Sequence, residues 1–172
     1  MSQPTTTEIE PVVREIVVHA PVETCYRVFV DELTTWWPVE HHIGADRTVV
    51  EFRVEPFVGG RLYDTDTDGG LSHWGTVLGV EPPNRFAFAW HVQGDWRVDL
   101  DPAHQSEVEV TFQAIDDATT QVRLVHRHLE RHVRGAANVA AGVAGLGGWS
   151  AGLARFGDVV EGRPPRPLPT DD

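Results

Sequence analysis

The sequence predicts an α+β fold in which an antiparallel sheet of six to seven strands packs against a C-terminal helix. Three observations carry this. Runs rich in β-branched and aromatic residues recur along the chain, separated by short turn sequences. Helical spacing appears only after the first run and after the last. The final helical segment offers a single apolar stripe, as a helix resting on a sheet should.

The first strand is placed at about Val12 to Val18, where Val12, Arg14, Ile16 and Val18 alternate with Val13, Glu15 and Val17, so the second face also looks partly covered. An Ala-Pro break follows, and Pro21 suits the first turn of a helix, where its missing N–H costs nothing. That helix carries Val22, Cys25, Tyr26 and Phe29 on one face and ends near the pair Trp36 and Trp37, sealed by Pro38. Further strands are expected at about Thr48 to Val54, Gly60 to Thr65, Leu71 to Glu81, Arg85 to Val92, Ser106 to Ala114 and Gln121 to Leu129. The glycine- and alanine-rich stretch before Gly148 is expected to be a broken or loosely helical approach, since its alanines favour helix and its glycines oppose it. From about Gly148 to Val160, Trp149, Leu153, Phe156 and Val160 recur at helical spacing.

The chain of 172 residues, 41% hydrophobic with six tryptophans, suffices for one sizeable core and shows no internal repeat. A single domain over 11–161 is expected, between a mobile N-terminal tail, 1–10, and a proline-rich disordered C-terminal tail, 162–172. The net charge of −12 argues against a nucleic-acid or anionic-membrane surface. All fourteen basic residues are arginine, which excludes chemistry needing a lysine amine. Cys25 is the only cysteine, so no disulfide framework exists. With a polar N-terminus and no 18-residue apolar run, the cytoplasm is the default expectation.

Several segments carry a resemblance: A-P-V-E at 20–23, W-W-P at 36–38, P-F-V-G-G-R at 56–61, W-G-T-V at 74–77, E-P-P-N-R-F-A-F-A-W at 81–90, T-Q-V-R-L-V-H at 120–126 and G-W-S-A-G-L at 148–153. In order and spacing they resemble the SRPBCC or START-like superfamily and, within it, domains homologous to activators of the heat-shock protein 90 ATPase. The resemblance implies the helix-grip fold, a curved antiparallel sheet closed over a long C-terminal helix around a cavity. Its members include lipid and hormone carriers, polyketide cyclases and aromatases, and chaperone activators. The activators pair this domain with a separate N-terminal chaperone-binding domain; only about ten residues precede the first strand here, so a chaperone partner is retained as a third reading only.

Chemical motifs are few. His126, His128 and His132 form a conceivable three-imidazole metal site, but the resemblance implies that a histidine matching His126 is usual in homologues that bind no metal, and no metal or other cofactor is expected. Asp64, Asp66, Asp68 and Gly69 imitate a calcium loop whose twelfth position, Gly75, lacks the required carboxylate; a hairpin turn explains them better. The four serines sit in no nucleophile elbow.

The first functional expectation is therefore a domain, monomeric or homodimeric, that binds a small hydrophobic molecule between sheet and C-terminal helix. Trp37, Trp90, His126, Trp149 and Phe156 would form part of the wall, with Arg53 and His73 as polar anchors. The second is enzymatic: a cofactor-independent cyclase, dehydratase or hydrolase acting on a polyketide-like substrate, with His73 or His126 as candidates for the acid or base and His91 as a further one.

Overall fold

A computed structural model describes residues 8–42 and 46–169. The expected N-terminal tail lies mostly outside the described residues, as do the last three positions of the C-terminal one. The element order is β1 (Val12–Val18), α1 (Val22–Asp31), α2 (Leu33–Trp36), β2 (Val49–Val54), β3 (Arg61–Asp66), β4 (Leu71–Glu81), β5 (Arg85–Trp90), β6 (Ser106–Asp116), β7 (Thr119–Arg127), α3 (Ala136–Ala144) and α4 (Trp149–Val160).

The seven strands form one antiparallel sheet in the order β1-β7-β6-β5-β4-β3-β2. Strands β2 to β7 are a meander of neighbours, and β1 is added at the far edge against β7, with Val12 opposite His126 and Val18 opposite Thr120. The curled sheet and the bent C-terminal helical segment make up the helix-grip architecture. One face of the sheet is lined by Phe52, Leu62, Val77, Phe86, Phe88, Val108, Val110, Phe112, Val122 and Leu124, each at most 4% exposed. Against it pack Phe29 and Trp36 from the first helices and Leu153 and Phe156 from α4. Alternation by two along each strand produces this face, and the 3.6-residue period of α1 and α4 produces the matching stripes.

Several boundaries depart from the sequence reading for local reasons. The second face of β1 is open, with Val13 and Val17 exposed, because β1 is an edge strand whose outer face meets no layer. Strand β5 ends at Trp90, and Val92 forms only an isolated bridge to Val98. Strand β7 ends at Arg127 because His128 takes a left-handed conformation, φ 62°, and starts a short 3-10 turn. The glycine- and alanine-rich approach splits as expected into the helix α3 and a break at Gly145–Gly148. At Gly148 a Cβ would stand 2.1 Å from the Val143 carbonyl oxygen, so the bend between α3 and α4 admits only glycine. Arg14 fastens this bend to the sheet, donating to the Ala144 carbonyl at 3.1 Å and to Ser150 Oγ at 2.9 Å.

Beyond α4, Arg163 and Arg166 turn back onto Asp158, whose carboxylate accepts from Arg166 Nη2 at 2.7 Å and from Arg163 Nη2 at 3.1 Å. These contacts tie part of the C-terminal segment to the domain.

Candidate functional site: a tryptophan-walled cavity

Between the end of the sheet and the bent helical segment lies a cavity of about 460 Å³, within the range that holds a small organic ligand. Its walls come from four places. Trp74 and Trp90 rise from β4 and β5; Trp37, Pro38, Glu40, His41 and His42 follow α2; Val92 and Trp96 sit on the loop after β5; Gly142, Val143, Gly147, Gly148, Trp149 and Gly152 belong to the helical bend. Five of the six tryptophans thus border one space.

Local rules place each indole. Trp37 ends α2 in an extended conformation that turns it under the helices while Trp36 fills the core. Trp74 is aimed by a bulge: Leu62 pairs with Gly75 and Tyr63 with His73, which leaves Trp74 as the extra residue of β4. It stacks on Trp37 with ring centroids 4.9 Å apart and an interplanar angle of 27°. Trp149 meets Trp37 and Trp90 edge-on, each at 5.6 Å. The indole nitrogens of Trp37 and Trp74 are buried with no hydrogen-bond partner among the described residues, an unusual state for a buried N–H.

Behind this wall runs a chain of polar groups. Trp149 Nε1–H donates to His126 Nδ1 at 3.0 Å, and Ser106 Oγ lies 2.7 Å from both His126 Nε2 and His132 Nε2. An indole can only donate, so His126 Nδ1 accepts and its proton sits on Nε2. That proton goes to Ser106, whose own hydroxyl proton then serves His132 Nε2. The direction of every bond follows from the indole at one end. Burial pushes the His126 pKa down to about 3, with His132 adding to the shift, and burial likewise takes His132 down to about 4. Both rings are neutral at neutral pH.

The site residues expected from sequence divide accordingly. Trp37, Trp90 and Trp149 border the cavity together. His126 stands one layer behind, its two ring nitrogens already engaged. Phe156 lies deeper, fully buried against Phe29 and Trp36. Arg53 and His73 are not cavity anchors: both share the register of Tyr63, on the face opposite Leu62 and the helices. Arg53 pairs there with Glu51, and His73 joins Thr76 and His91, with Thr76 Oγ1 3.2 Å and 2.9 Å from their Nε2 atoms. Burial lowers the pKa of His73 and, helped by His73, brings His91 to about 4.

The imidazoles of the conceivable metal triad also part. His126 and His132 converge on a hydroxyl, while the left-handed backbone turns His128 toward Glu130. Among the described residues no group of three or more ligating side chains could hold a metal ion.

Sequence reasoning missed Trp74, Trp96 and the run Glu40–His42. Trp74 depends on a bulge, and the others lie in irregular segments with no period to read. Within the cavity lining these three polar residues are the titratable groups, gathered at the mouth. His42 Nδ1 lies 2.7 Å from the Val39 carbonyl oxygen and donates to it. His41 is exposed on its outer side, and the protein on its inner side lowers its pKa by desolvation, with Glu40 opposing the shift and Arg155 adding to it.

The model of the family described as Activator of Hsp90 ATPase homolog 1-like protein matches residues 19–161. The chain belongs to this family. The Activator of Hsp90 ATPase homolog 1-like fold is also that of its structural neighbours. An anthrahydroquino-gamma-pyrone synthase, Txn09, is similar at 38% identity and TM-score 0.63, over 88% of this chain and 97% of its own. CalC, a self-sacrificing resistance protein from Micromonospora echinospora, is similar at 28% identity and TM-score 0.61, over 88% and 94%. Protein MLL2253 from Mesorhizobium loti, at 22% identity and TM-score 0.60 over 88% and 97%, shares the fold. No curated protein matches the chain. No described helix is long and apolar enough to cross a membrane.

Proposed function

We propose that this member of the family binds a flat, largely apolar aromatic molecule in the cavity between sheet and C-terminal helices. The observation that carries the reading is the meeting of five indoles around one space of about 460 Å³. Stacked and edge-on indoles suit a planar ring system, each good aromatic contact adding about 0.5–1.5 kcal/mol beyond area burial. The unpartnered N–H groups of Trp37 and Trp74 in the cavity wall favour a ligand with carbonyl oxygens that can accept from them. Among the described residues no arginine lines the cavity, and Glu40 stands at its mouth, so anionic ligands are disfavoured. The name of Txn09, a synthase of a fused-ring pyrone, agrees with such a ligand.

Native mass spectrometry of freshly purified protein tests the reading. The expected result is an organic adduct of a few hundred daltons, or uptake of an added hydroxyanthraquinone, that disappears on denaturation. A bare mass that takes up no such probe would overturn it.

A second reading is catalytic, a ring closure or dehydration of a bound polyketide-like molecule. One observation favours it: His41 stands in the cavity lining at its mouth, where a lowered pKa favours the unprotonated ring that can take a proton from a substrate hydroxyl or acidic C–H. His41→Gln should then abolish turnover and leave binding of a product analogue within about threefold; equal turnover would remove the reading.

A further inference from the structure

We propose that Trp96 is a specificity-determining residue of this cavity, an outer indole wall displayed by a strained loop so that it lies over the face of a bound ring system. The proposal rests on the ligand-binding reading above and adds the residue that selects flat molecules.

Trp96 has φ 61°, in the left-handed region that suits glycine or asparagine and penalises a bulky residue. It is also 63% exposed, although it borders the same cavity as Trp37, Trp90 and Trp149. A turn selected only for folding would place glycine here and keep an indole out of water. Both departures fall on one side chain, at the rim of one cavity.

The base of the loop explains how the strained tip persists. Gln93 is fully buried; its Nε2 donates to the His104 carbonyl at 2.8 Å, and its Oε1 accepts from the Arg134 N–H at 3.3 Å. Gly94 donates to the Arg134 carbonyl at 2.6 Å and approaches Gly135 so closely that a Cβ would stand 2.4 Å from the Gly135 carbonyl oxygen. The Arg134 guanidinium pairs with Asp95 at 2.8 Å and Asp99 at 3.3 Å, on either side of the tip. A clamped base thus imposes the geometry of the tip, as a rigid presenter does. Facing the indole is Gly142 of α3, where a Cβ would stand 3.4 Å from Trp96 Cη2; a larger residue there would press the ring outward.

The decisive test separates stability from binding, because the two are expected to move in opposite directions. Isothermal titration with 1,8-dihydroxyanthraquinone is run on the full chain and on Trp96→Gly and Gly142→Leu, with thermal unfolding of each. Trp96→Gly should raise Tm by relieving the left-handed strain and weaken probe binding about tenfold, the loss of one good stacking contact. Gly142→Leu should weaken binding to a similar degree by displacing the ring. Wild-type binding with both variants within twofold of it would overturn the role of Trp96 and leave the cavity reading standing. A fall in Tm for Trp96→Gly would overturn the strain argument. Failure of the wild-type protein to bind the probe at all would overturn both this inference and the ligand reading beneath it.

Discussion

The indole N–H of Trp149 donates to Nδ1 of His126 across 3.0 Å, and this single contact sets the protonation of everything behind it. Because the indole cannot accept, His126 is held as the Nε2–H tautomer, and Ser106 and His132 take their roles in turn. A cavity-wall side chain is thereby held in place by three fully enclosed polar groups. His126, with neither nitrogen free, acts as a positioning residue for Trp149.

Ser106→Ala should therefore be disproportionately damaging for the loss of one oxygen. It strands His126 Nε2–H and the His132 Nε2 lone pair in a site at most 3% exposed, at about 1–3 kcal/mol for each unsatisfied group. Urea unfolding should show a drop of about 2–4 kcal/mol. A drop under about 0.5 kcal/mol, the scale of a surface substitution, would mean the chain is not intact in solution.

Acid should destabilise the protein earlier than its carboxylates alone would. His126, His132 and His91 are buried neutral, with pKa values near 3, 4 and 4. In the unfolded chain each titrates near 6.5, so below that pH the unfolded state binds more protons than the native one. Stability that is complete above pH 6.5 is lost as pH falls toward 4, each histidine adding about 1.4 kcal/mol per pH unit to the slope. Urea midpoints from pH 7.5 to 4.5 provide the check; a flat profile between 6.5 and 5 would contradict the neutral buried rings.

His128→Gly should stabilise the fold. At φ 62° the imidazole stands where glycine is unstrained, and its side chain makes only a loose 3.9 Å approach to Glu130. A gain of about 1 kcal/mol is expected in unfolding experiments, with the cavity unchanged.

Asp158→Asn should loosen the segment from Arg163 to Pro169. The carboxylate is 5% exposed and takes bonds from Arg163 and Arg166, which hold its pKa well below the usual range. Hydrogen exchange at the Arg166 amide, which also donates to this carboxylate at 3.0 Å, should quicken by at least about tenfold, while α4 stays protected.

How much of this could be read from the sequence depended on whether a residue lay in a periodic element. Strand alternation and helix stripes give the sheet, its meander and the helices on one side, and the ends of those elements bring out Trp37, Trp90 and Trp149. Alternation does not say which face of a strand meets the helices. Arg53 and His73 were on that account expected in the cavity and lie on the other side. A bulge reset the face of Trp74, and a left-handed residue ended β7 before His128. Trp96 and His41 belong to loops shaped by contacts with α3 and α4, distant segments that no local pattern reports.

The pairing of β1 with β7 has a consequence for biosynthesis. Val12 leaves the ribosome more than a hundred residues ahead of its partner His126. Until that partner emerges, a valine-rich strand has no neighbour, and loop closure over so long a span is slow. In the finished molecule β1 is an outer strand with Val13 and Val17 facing water, and Arg14 and Glu15 interrupt the run at its centre. Two charges at that point disfavour pairing of the nascent strand with a second copy of itself during the wait, an effect separate from the contacts they make once the sheet has closed.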